Sequence, residues 1–72
     1  MTIRNESFLR FNGDLSEVIA EINVDTADEL PEVDEIPGRI LHQGSTALII
    51  KESRIAVLAG DSHWYVNGEA VK

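Results

Sequence analysis

The chain contains no cysteine, so no disulfide can staple it and no thiolate can ligate zinc or act as a nucleophile. Basic side chains are also scarce: six Lys and Arg stand against thirteen acids, a formal net charge of −7. The six are scattered from Arg4 to Lys72, with no two adjacent. Nucleic acid and anionic lipid both need clustered positive charge, so neither is an expected partner. No apolar run approaches the length of a membrane span. The opening Met1-Thr2-Ile3-Arg4-Asn5-Glu6 lacks the basic start and apolar core of a signal peptide. Absence of cysteine fits a cytoplasmic origin. His42 and His63 are too few for a His-based zinc site, and no cofactor is expected. With 72 residues the chain makes one domain at most. So short a chain gains little more from apolar burial than it loses in entropy. Stability must come from a compact core or from neighbours.

What is present is concentrated in the last third. Ala47 to Lys51 is an apolar run rich in isoleucine, Ile55 to Leu58 is a second, and Glu52-Ser53-Arg54 between them has hairpin length. Gly60-Asp61-Ser62 breaks the chain before a third run, His63 to Val66. Asn67-Gly68 then suits a type I′ turn, in which both central residues need positive φ. Upstream, Ile3, Leu9 and Phe11 can share one face of an extended segment, with Phe8 on the other. Asn12-Gly13-Asp14 marks a turn. Segment 14–24 reads two ways. As a helix, Asp14 caps and Leu15, Val18, Ile19 and Ile22 form a stripe. As a strand, Val18, Ala20, Ile22 and Val24 alternate against Glu17, Ile19, Glu21 and Asn23. Residues 21–24 read as strand, and 15–20 stay open. Thr26-Ala27-Asp28-Glu29 has the form of a capping box, cut short by Pro31 to one helical turn. From Asp25 to Glu35 six of eleven residues are acidic, which reads as a solvated connecting loop. A calcium loop would show regular D-x-D-x-D-G spacing, which is missing. Ile36-Pro37-Gly38 is a turn, and Arg39 to His42 a short edge strand.

Asp61-Ser62-His63 holds the residue types of a hydrolase triad, but a triad is drawn from separate segments in space, and turn chemistry explains these three better. Gly44-Ser45-Thr46 is not a phosphate loop, having neither the Lys nor a following helix. No catalytic activity is expected. Trp64 and Tyr65 are neighbours and face opposite sides of a strand: one packs in the core and one is displayed, and which is which stays open. Phe8 and Phe11, near a chain end, are either core or part of a docking arm in residues 1–12.

Ala27-Asp28-Glu29-Leu30-Pro31, Pro37-Gly38, Gly44-Ser45-Thr46-Ala47 and Trp64-Tyr65-Val66 together resemble small structural proteins of tailed bacteriophages and prophages. The resemblance covers roughly residues 21–66. It implies a virion or tail-associated component bound to capsid or tail proteins, made in the bacterial host cytoplasm. The expectation is therefore a single mainly β domain over 1–72, a small antiparallel meander or compact β-sandwich with at most one short helical segment. Its expected role is a non-enzymatic accessory, decoration or connector, oligomeric or part of a larger assembly. Phe8, Phe11, Trp64 and Tyr65 are the contact candidates, meeting other virion proteins or further copies. The alternative is an acidic adaptor that binds a basic protein surface through residues 25–35.

Overall fold

The computed structural model describes every residue from Met1 to Lys72. One mixed sheet holds seven strands: β1 (Thr2–Asn12), β2 (Leu15–Val24), β3 (Arg39–Leu41), β4 (Thr46–Ile49), β5 (Arg54–Leu58), β6 (Trp64–Val66) and β7 (Glu69–Ala70). Their order is β1-β2-β4-β5-β6-β7, with β3 also on β2. The only helical pieces are single 3₁₀ turns at Ala27–Glu29 and Ile50–Glu52. The mainly β expectation therefore holds, and the segment left open at 15–20 is strand. Alternation decides this: Val18, Ala20, Ile22 and Val24 are each almost fully buried on one face. A helix would have scattered them.

The connectivity differs from a simple antiparallel meander. From β4 to β7 the pairing is antiparallel throughout. However, β2 pairs in parallel with β3 at Ser16–Val18 and with β4 at Glu21–Val24. A parallel pair requires a crossover of about a dozen residues, and the acidic segment 25–38 supplies it. This segment is more than a solvated loop. Leu30, Pro31 and Ile36 are buried, and Leu30 and Ile36 belong to the same core cluster as the sheet residues. The Leu41 amide donates to Val33 O at 2.8 Å, and the Trp64 indole Nε1 donates to Pro31 O at 2.9 Å. The crossover thus lies over one face of the sheet, with its acids outward and its apolar side chains inward.

Other details depart from the sequence expectation. Glu29 does reach back, but it accepts from the Asp25 amide at 2.7 Å, one residue earlier than a capping box requires. Thr26 makes no side-chain cap and donates instead to Asp28 Oδ1. Ile50 and Lys51 leave the strand for the 3₁₀ turn, which closes on Ser53 at φ 52°. Asn67 and Gly68 do form the expected turn, with φ of 51° and 82°. In β1, register shifts at Arg4 and Leu9 put Phe8 opposite Val18 and Phe11 opposite Ser16. A one-residue bulge reverses the alternation, so Phe8 and Phe11 share the core side of the sheet instead of facing apart.

Candidate interaction surface

β1 is the longest strand and pairs only with β2. Its outer edge therefore presents free backbone donors and acceptors, the template on which another strand can add. Only Ile3 among its residues is partly buried against the core. Phe8 is 54% exposed and Phe11 72% exposed, and their ring centroids lie 4.8 Å apart at 59°. Aromatic rings at this distance and tilt attract each other beyond their area burial. The pair is held in place by its own contact and is not packed into the core.

The charges of β1 are matched within the chain. Arg39 Nε and Nη2 grip both Glu6 oxygens at 2.6 and 3.2 Å, which raises the Arg39 pKa above its ordinary value. Arg10 lies 3.5 Å from Glu17 and Arg4 3.9 Å from Glu21. Glu17 also meets His42 Nε2 at 2.5 Å. The arginine pairs, open to solvent at the guanidinium, contribute about 0–1 kcal/mol each. Their effect is to leave the strand without a spare charge.

Trp64 and Tyr65 separate as neighbours on a strand must. Trp64 is buried, with its indole N–H satisfied by Pro31, so its reading as a contact anchor is corrected: it is a core residue. The alternation that buries Ala56 and Leu58 on β5 also points Trp64 inward, because Leu58 and Trp64 are register partners. Tyr65 is half-buried on the opposite face and its hydroxyl donates to Asp61 Oδ2 at 2.5 Å. That hydrogen bond, with a second from the His63 amide, lowers the Asp61 pKa, and the same bond raises that of Tyr65. Asp61-Ser62-His63 is accordingly a turn, in which the Asp61 carboxylate holds backbone and phenol and Ser62 adopts φ 69°.

Ser45 is a structural residue that sequence reasoning missed. It is fully buried, and its hydroxyl accepts from the Ala20 amide at 3.0 Å and donates to His42 O at 2.8 Å. These bonds bridge the gap between β3 and β4, where β2 has no strand opposite Ile19 and Ala20. A small hydroxyl residue after a glycine in a strand-rich segment was the available signal. Its partner twenty-five positions away was not visible.

A shallow cavity of about 300 Å³ opens beside the core, between Val33 of the crossover, Leu41, Leu58 and the turn at Gly60 and Ser62. No group of three His, Asp or Glu side chains converges anywhere as a cation site. No helix is long and apolar enough to cross a membrane. Compared with protein-family models, with curated proteins and with solved structures, the chain finds no match.

Proposed function

We propose that this chain is a non-enzymatic assembly module, an accessory or connector of a phage or phage-like particle, which docks through β1. The observation that carries the reading is the exposed Phe8–Phe11 pair on an 11-residue edge strand with one side free. Aromatic anchors held in position before binding lose little entropy when they enter a neighbour's pocket. The free edge adds main-chain hydrogen bonds, as in strand augmentation. The particle as its setting rests on the resemblance of residues 21–66, and the partner class on the chemistry of β1.

The acidic adaptor is the weaker reading. Three of the six carboxylates in 25–35 are engaged locally: Glu29 by the Asp25 amide, Glu35 by the Glu32 amide, and Asp28 by the Thr26 hydroxyl. That bonding, with the burial of Leu30 and Ile36, supports a structural task for the segment. Co-sedimentation with intact phage or tail-like particles separates the two. Binding through β1 persists at about 1 M salt, where the screening length falls to about 3 Å, and is lost in Phe8→Ser/Phe11→Ser. Binding that salt abolishes and that ignores the phenylalanines would instead assign the contact to residues 25–35.

A further inference from the structure

Two of the four asparagines, Asn12 and Asn67, stand directly before a glycine. That pairing carries a chemistry of its own. With no glycine side chain in the way, the glycine amide nitrogen can attack the asparagine side-chain carbonyl. The N–Cγ bond forms, the Cγ–Nδ2 bond breaks, and ammonia leaves with the proton that the amide gives up. Solvent water then opens the resulting succinimide at either carbonyl, giving aspartate or isoaspartate with no change of oxidation state. Both pairs meet the first requirement. The Gly13 and Gly68 amides donate to no backbone acceptor, and no atom lies within 4 Å of where a Cβ would stand on either glycine.

We infer that Asn12 is a self-deamidation site of the folded chain and that Asn67 is protected by its turn. Ring closure requires rotation about the asparagine Cα–C bond until the glycine nitrogen eclipses Cβ. Asn67 has φ 51°, where a residue with a side chain takes left-handed ψ. That ψ sets the following nitrogen almost opposite Cβ, the arrangement farthest from closure. Asn12 ends β1 in extended backbone, from which the rotation is shorter. Its turn is also of a different kind. Gly13, at φ 63°, is the first of two residues between the register partners Asn12 and Leu15, so Asn12 itself stays in the strand.

Either rotation has to open a hairpin, and the ease of opening separates the two sites. Every residue from Arg4 to Asp14 is exposed, so the tip of the β1–β2 hairpin is held by little besides its ladder. Asn67 instead follows the buried Val66, and Val71 packs against the core. Beyond that turn the Val71 amide donates to Trp64 O and the Trp64 amide to Lys72 O, each at 2.8 Å. The products differ in what they do at the tip. Aspartate at position 12 adds a carboxylate near Asp14, whereas isoaspartate lengthens the main chain by one carbon beside Phe11. The chemistry stands whether or not β1 docks on a particle.

Ageing the full chain in warm, mildly alkaline buffer tests this, with peptide mass mapping at intervals and isoaspartate scored at each Asn-Gly pair. In the folded chain Asn12 should convert about tenfold faster than Asn67, as sites of unequal opening do. In urea the two rates should converge, because both pairs then belong to an unfolded chain. Equal rates in the folded chain, or a faster Asn67, overturn the inference. So does a folded chain whose Asn12 stays intact while the urea sample reacts. A contrast that persists in urea overturns it as well, because the cause would then lie in the flanking sequence and not in the fold.

Discussion

At the scale of single residues, polar groups do more to define this molecule than its sparse aromatics suggest. Ser45 is the clearest case, because its hydroxyl stands in for a missing ladder bond at Ala20. Ser45→Ala leaves the Ala20 amide buried without an acceptor, which costs about 1–3 kcal/mol. Urea denaturation should show that loss, and hydrogen exchange should accelerate at Ala20. Tyr65 and Asp61 give a second expectation, in pH. The folded Tyr65 pKa is raised, so its contribution to stability is complete below the ordinary value near 10 and disappears as pH climbs through the folded value. The folded Asp61 pKa is lowered, so its contribution is complete above the ordinary carboxyl value and disappears as pH falls through the folded one. Tyr65 is the sole tyrosine, so tyrosinate absorbance titrates it alone. Its midpoint should lie above that of a free tyrosine and move down in Asp61→Asn.

At the scale of elements, two local irregularities set what the surface presents. The shift at Leu9 turns Phe8 and Phe11 to one side. Without it the aromatic pair could not form. Strand alternation read from β1 alone assigns them to opposite faces, because a bulge is recorded only in the partner's register. By contrast, Asn67-Gly68 was legible, since its backbone requirement belongs to the two residues themselves. Gly68 has φ 82° and open space where a Cβ would stand. Gly68→Ala should therefore cost about 1 kcal/mol, from backbone conformation and not from collision. Thermal unfolding of the variant checks this, with the β6–β7 hairpin the first part to fray.

At the scale of the whole molecule, charge and apolarity are divided between surfaces. Six of the thirteen acids lie on the crossover, which also closes the core with Leu30 and Ile36. The opposite face and the β1 edge hold the exposed apolar side chains. Phe8→Ser/Phe11→Ser should lower unfolding free energy by only about 1 kcal/mol, the worth of an exposed ring pair, while abolishing particle binding. A large loss of stability in urea would show that the rings belong to the fold.

By itself the sequence determined what depends on neighbours along the chain: the β class, the punctuation at Gly13, Gly60 and Gly68, and the strand at 21–24, while 15–20 fitted helix and strand alike until the sheet placed Val18 and Ala20 on its buried face. It also determined that Trp64 and Tyr65 part company, because strand geometry forces adjacent side chains to opposite faces. Only the tertiary structure decided which of the two lies inside. That choice depends on the pairing of Trp64 with Leu58 and on an acceptor at Pro31, thirty-three positions away. The same holds for the parallel pairing of β2 and for the crossover's second role as core. An acidic run reads as solvated until the sheet it covers exists, since burial of Leu30 and Ile36 is a property of what lies beneath them.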